Sequence, residues 1–267
     1  MGMEIGDAIG DLLEIAEGVA GDAALIPEIL DSADRCQNPP AVFAGSSSGF
    51  AELDRTLGGG YPRSRSVEIF GPESSGKTTL ALHGLAAAQR SGAVGAWVDV
   101  DRTLDRSYAA RIGVRLGDLL LSEPDSGEAA LGIVQAIVES GVPSFVVLDS
   151  ITALVSDEEA VAPIGSVEGD PHRVMLARAW GKLAAVLPRS SCTAVFLNRC
   201  VMGRRRLPSA GPVSQFMADV RVQVHAGEFI FESGRNVGIM VPFRIVKHRL
   251  ATPYRSGRLP LRYAGIS

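Results

Sequence analysis

Gly71-Pro72-Glu73-Ser74-Ser75-Gly76-Lys77-Thr78 organises everything around it in this chain. The stretch fits the pattern G-x-x-x-x-G-K-[ST], and its neighbours fit as well. Ser66–Phe70 (SVEIF) reads as a short buried strand, and residues 78–90 read as a helix. A phosphate loop needs that order. Its glycines let successive backbone N–H groups turn inward, and the helix that follows adds its positive N-terminal end. Lys77 then reaches the outer phosphates of a bound nucleotide, and the Thr78 hydroxyl holds Mg²⁺.

Outward from the loop, the pattern from residue 48 on is α/β. Residues 93–100 (AVGAWVDV), 144–148 (SFVVL) and 193–197 (TAVFL) are near-continuous apolar runs. Residues 126–140 and 172–187 read as helices, with Pro188 ending the second. Apolar strands alternating with helices predict a mostly parallel sheet covered on both faces. Residues 220–224, 238–247 and 259–263 read as further strands with few helices between them, which predicts antiparallel strands completing the sheet on its C-terminal side.

The remainder divides at about residue 47. Residues 1–47 form an acidic helical arm and linker, and 48–267 form the core. Ile5, Ile9, Leu12, Ala16 and Val19 recur at helical spacing, so residues 3–20 read as an amphipathic helix. Residues 37–49, with Pro39, Pro40, Gly45 and three serines, read as a linker. Net charge is −4, but it is laid out unevenly. Residues 1–40 hold nine acids against Arg35 alone, a net of −8, whereas 199–267 hold twelve Lys/Arg against three acids, a net of +9. Two explanations fit: an acidic partner for the C-terminal part, nucleic acid first, or an acidic arm that covers a basic face.

At 46% hydrophobic and 21% charged residues, with no apolar run near the ~20 residues needed to span a bilayer, the composition is that of a soluble globular protein without a membrane partner. The acidic N-terminus resembles neither a secretory signal nor a transit peptide. Cys36, Cys192 and Cys200 are too few and irregular for a disulfide framework or a metal site, and read as free thiols in a reducing cytoplasm.

A phosphate loop needs a carboxylate to orient Mg²⁺, placed at the end of a neighbouring apolar strand. Phe145-Val-Val-Leu-Asp149 has that form. The 93–100 strand also ends among acids, Asp99 and Asp101, either of which could polarise an attacking water.

At this point the chain resembles the RecA recombinase family. The residues that carry the resemblance are Ser66–His83, with VEIFGPESSGKTTLALH as its core, and the lead-in Gly49–Asp54 and Gly58–Pro62. It continues through Trp97–Asp105, Tyr108–Gly113, Phe145–Leu154, Thr193–Asn198 and Arg244–Tyr254 (RIVKHRLATPY), so that it covers roughly 48–264. The resemblance implies a RecA-like P-loop NTPase core with ATP and Mg²⁺ as cofactors. It implies that Gly71, Pro72, Glu73, Ser74, Ser75, Gly76, Lys77, Thr78 and Thr79 hold the nucleotide, with Mg²⁺ on Thr78 and Asp149. Asp105 and Tyr108 would sit beside the adenine. Lys247 and Arg249 would reach across a filament interface to a neighbour's ATP.

The chain also departs from the family pattern. Asp101 stands where the family's catalytic glutamate is usual, one methylene shorter. Arg199 follows Asn198 where the family places the glutamine that reports the γ-phosphate to DNA; an arginine cannot accept a hydrogen bond. Asp101 and Arg199 are the two candidate catalytic residues. The loop at residues 200–212 reads as short and carries Arg204, Arg205 and Arg206, candidates for single-stranded DNA contact. The family's small C-terminal domain is not expected before the chain ends at Ser267. These departures favour an accessory of DNA repair and the SOS response with weak ATPase. It would resemble the RecA-like accessory of the mutagenic polymerase cassette (the ImuA type), and its partners would be a RecA-type recombinase or an error-prone translesion polymerase. The alternative is a compact recombinase that binds single-stranded DNA, self-associates in a filament and hydrolyses ATP.

Overall fold

The computed structural model describes residues 43–163, 166, 169–200 and 211–263. The expected arm of residues 3–20 and the three arginines at 204–206 lie outside the described residues. Eleven strands and seven α-helices occur among those described. In chain order they are β1 (Gly45–Ser46), α1 (Ala51–Leu57), β2 (Tyr61–Pro62), β3 (Ser66–Gly71), α2 (Lys77–Arg90), β4 (Val94–Asp99), α3 (Arg106–Ile112), β5 (Leu119–Ser122) and α4 (Gly127–Ser140). There follow β6 (Pro143–Asp149), α5 (Asp157–Val161), α6 (Pro171–Val186), β7 (Thr193–Arg199), α7 (Gly211–Met217), β8 (Val220–Val224), β9 (Glu228–Glu232), β10 (Arg235–His248) and β11 (Ser256–Arg262).

The main sheet runs β11-β10-β8-β3-β7-β6-β4-β5, with β9 paired to β10. From β8 to β5 every pairing is parallel. The pairings that β10 makes with β8, β9 and β11 are antiparallel. This is the α/β RecA-like architecture expected, with the antiparallel strands added where the helices thin out.

Burial on both faces explains the uninterrupted apolar strands. Trp97, Phe145, Val147, Val195 and Leu197 pack with residues of α1, α2 and α3 in one core cluster. Their chain neighbours Ala96, Val98, Val146, Leu148, Ala194 and Phe196 pack with α4 and α6 in another. Because successive side chains of a strand point to opposite faces, a strand covered on both must be apolar at every position.

One expectation is corrected. The linker read over 37–49 is structured at its C-terminal end, since Gly45 and Ser46 pair with Pro62 and Tyr61. Ser47 Oγ and Ser48 N donate to the Asp54 carboxylate at 2.7 Å each. Serines and glycines here are not slack: they make the turn polar enough to be tied down by one aspartate of α1.

Candidate nucleotide site

Two glycines shape the loop, each for a steric reason. Gly71 ends β3, and a Cβ there would lie 2.3 Å from the Val224 carbonyl oxygen. Gly76 has φ of +86° and caps α2, and a Cβ on it would lie 2.3 Å from Leu261 Cδ1. Backbone closes Gly71 to any side chain, whereas at Gly76 the φ in the left-handed region is what favours glycine. Ser75 Oγ donates to the Pro72 carbonyl at 2.8 Å and closes the turn. Lys77 folds back over it, its Nζ donating to Gly71 O at 3.2 Å and Pro72 O at 2.6 Å. Burial holds the Lys77 ammonium below its ordinary pKa, an effect that Asp149 opposes.

Four strand ends converge beside this loop. Asp149 ends β6 and accepts from Thr78 Oγ1 at 3.0 Å. Burial pushes its carboxyl up to about 6; the Thr78 hydrogen bond pulls the other way, and the charges of Asp101 and Asp99 add to the rise. Asp99 and Asp149 are register partners on β4 and β6, yet their roles differ. Asp99 accepts from the backbone of Thr103 at 3.2 Å and of Leu104 at 2.9 Å, so it turns the chain. Asp101 turns to side chains at neighbouring strand ends instead. Its Oδ2 accepts from Ser150 Oγ at 3.0 Å and from Arg199 Nη2 at 2.9 Å. Arg199 ends β7 in register with Gly71. The structure thus brings Lys77, Thr78, Asp149, Asp101 and Arg199 to the carboxyl ends of adjacent parallel strands, where open α/β sheets bind ligands.

Pro72, Glu73, Ser74, Ser75 and Thr79 complete the loop and the start of α2. Thr79 Oγ1 lies 3.0 Å from the Tyr108 hydroxyl, which brings Tyr108 of α3 to the cleft's border. Asp105 caps α3, accepting from Tyr108 N at 2.9 Å. Lys247 and Arg249 are not brought to the cleft. They lie where β10 meets the start of β8, beside Ser66 at the other end of β3, roughly 20 Å away at ~3.3 Å per residue. Lys247 Nζ donates to Gln215 O at 3.1 Å and Phe216 O at 2.7 Å, and Arg249 donates to Phe216 O and Asp219 Oδ1, both at 3.1 Å. Both cations thereby satisfy the last carbonyls of α7.

Some lining residues carry no motif. A cleft of about 530 Å³ runs from Glu73–Thr79 to Ala226, Gly227, Phe229, Ile239 and Tyr263. That volume lies in the range of nucleotide-sized pockets. The run Phe229-Ile230-Phe231 between Gly227 and Ser233-Gly234 was the available signal for the wall around Phe229, a strand pattern only three apolar residues long.

The residues fit a nucleotide with its metal. A buried ammonium, an N-terminal helix end and a glycine turn suit a polyphosphate; a hydroxyl beside a carboxylate suits Mg²⁺, which uses few protein ligands. Among the described residues no cluster of three His, Cys, Asp or Glu offers a metal cage. No helix there is long and apolar enough to cross a membrane.

Comparison with known proteins matches the family model described as the RecA N-terminal domain to residues 36–267. The chain belongs to the RecA N-terminal domain family. Protein RecA of Paracoccus denitrificans is 39% identical over 238 residues, covering 86% of this chain and 67% of that protein. Protein RecA of Desulforapulum autotrophicum is 38% identical over 229 residues, covering 83% and 66%. This RecA-family chain thus spans about two thirds of the length of the curated relatives it matches. The crystal structure of the RadB recombinase is similar in fold, with a TM-score of 0.63 over 82% of this chain and 97% of that one, at 21% identity.

Proposed function

We propose that the chain is the ATP-binding core of a DNA recombinase, which self-associates on single-stranded DNA in the cytoplasm. The observation that carries this is the Thr78–Asp149 pair beside buried Lys77, at the strand ends that also present Asp101 and Arg199. Family membership supports it, and the relatives named RecA weigh towards a recombinase rather than an accessory. Thr78 and Asp149 would hold Mg²⁺, which when bound neutralises phosphate charge. Lys77 and the amides at the start of α2 orient the phosphates. Arg199 has two acceptors in prospect, Asp101 and the outermost phosphate. When it takes the phosphate, Asp101 is released to hold the attacking water and accept its proton. Arg204, Arg205 and Arg206 are proposed to meet the DNA backbone, and Lys247 and Arg249 a neighbour's nucleotide.

One observation favours the second reading, an accessory with weak turnover that joins a RecA-type recombinase or an error-prone polymerase. Asp101 is short for its position and is already engaged by Arg199 and Ser150. A retraction of about 1 Å lowers a rate ~10²-fold. The two readings separate in one assay, ATP hydrolysis with and without single-stranded DNA. Turnover stimulated about a hundredfold or more, the scale of one positioned catalytic group, supports the recombinase; ATP binding with no stimulation supports the accessory. If Lys77→Ala binds ATP as well as the unaltered protein, the nucleotide site itself is wrong.

A further inference from the structure

We infer that Phe229 is a further base-stacking residue of this cleft besides Tyr108, a specificity element on β9 that selects a nucleotide over a bare polyphosphate. The inference rests on the nucleotide reading of the cleft and adds a contact on the wall opposite the phosphate loop. Its basis is a row of side chains across three strands. Leu261 of β11 is the register partner of Ile239 of β10, and Ile239 is the partner of Phe229 of β9. Cross-strand partners share a face. That face looks onto the loop, because a Cβ on Gly76 would lie 2.3 Å from Leu261 Cδ1 and 3.8 Å from Ile239 Cδ1.

Exposure rises along the row. Leu261 is buried, Ile239 is half-buried, and Phe229 is 64% exposed where the row runs out over the cleft. Phe231, on the same face of β9 and also 64% exposed, meets Phe229 edge to face, with ring centroids 6.3 Å apart. On the other face, Glu232 pairs with Arg262 at 2.6 Å, which ties the end of β9 to β11, and Glu228 lies 3.9 Å from Arg258. The strand is held while its aromatic face stays uncovered.

Ligand chemistry follows from the two halves of the cleft. Glu73–Thr79 supply the turn, the ammonium and the helix end that suit phosphates; Phe229, Ile239 and Tyr263 supply an apolar wall with two aromatic rings. An inorganic polyphosphate uses only the first half. A nucleoside triphosphate uses both, its flat base covering the exposed face of Phe229.

The test is calorimetric titration of the full chain with Mg–ATP and, separately, with Mg–tripolyphosphate. Phe229→Ala is expected to weaken Mg–ATP binding roughly tenfold, the scale of one lost base–aromatic stack, while leaving tripolyphosphate unchanged. Phe229→Tyr, which keeps the ring, should restore ATP binding. Equal loss for both ligands, or no loss for ATP, overturns the inference. Lys77→Ala keeps the two claims apart. It should weaken both ligands; if it does so while Phe229→Ala does nothing, only the stacking role fails, and if it weakens neither, the nucleotide reading fails with it.

Discussion

On the proposed reading Asp149 holds Mg²⁺ in its ionised form, yet its surroundings oppose ionisation. Burial is the main cause of its rise to about 6 from an ordinary 3.8, and the neighbouring charges of Asp101 and Asp99 add to it. The folded state therefore keeps its proton at pH values where the unfolded chain has lost it. Stability from this group is full below about 4 and is lost as pH rises through about 6. Asp149→Asn removes that titration. In Mg²⁺-free buffer the unfolding free energy of the unaltered protein minus that of the variant should fall by on the order of 2–3 kcal/mol between pH 4 and pH 7, at about 1.36 kcal/mol per pKa unit. Urea unfolding at a series of pH values measures it; a flat difference would show that Asp149 titrates normally. The loop motif located Lys77 and Thr78 in the sequence, and the end of an apolar strand located Asp149. Nothing in the sequence joined Asp101 to Arg199, 98 residues apart, since that contact depends on the sheet order.

Three strands share a buried polar cluster beneath the cleft. Glu68 of β3 is fully buried, and both its carboxylate oxygens are used: Oε2 by Arg221 of β8 and Oε1 by Asn198 of β7, the latter at 2.7 Å. The Arg221 guanidinium also lies over the Phe70 ring, 4.3 Å from its centroid. Removing one partner strands the other charge, so Glu68→Ala should cost about 3–5 kcal/mol. Replacing both, as in Glu68→Met with Arg221→Met, should recover most of the loss. Denaturant titration decides this, and a single-variant cost under about 1 kcal/mol would mean that water already reaches the pair. Such clusters explain what was legible at this scale. β6 and β7 stood out because two covered faces demand continuous apolar sequence. α1 and α3, seven residues each, are too short to display helical periodicity, and β9 buries neither face fully, so its pattern competes with that of an ordinary exposed loop.

At the scale of the molecule, the sheet keeps Arg199 apart from Lys247 and Arg249. Arg199 sits at the carboxyl ends of the parallel strands; Lys247 and Arg249 sit at the opposite end, on the carbonyls of α7. The parallel core and its antiparallel extension were readable from the spacing of apolar runs. The wall that the extension builds over the phosphate loop was not, because register between distant strands leaves no local trace. That wall leads to a prediction. A chain ending at Arg255 lacks β11 and with it Leu261, which packs against Gly76. It should fail to bind Mg–ATP even if α2 forms, and retained binding would show that the loop stands without support.

The same contact puts the nucleotide site on a clock. Ribosomes release Gly76 long before Leu261, and at about 5–20 residues per second the interval is on the order of ten seconds or more. During that time the newborn chain carries the complete phosphate-loop sequence without the strand that braces it. On the proposed reading, ATP capture would come late in the protein's birth, once the far end of the sheet has arrived.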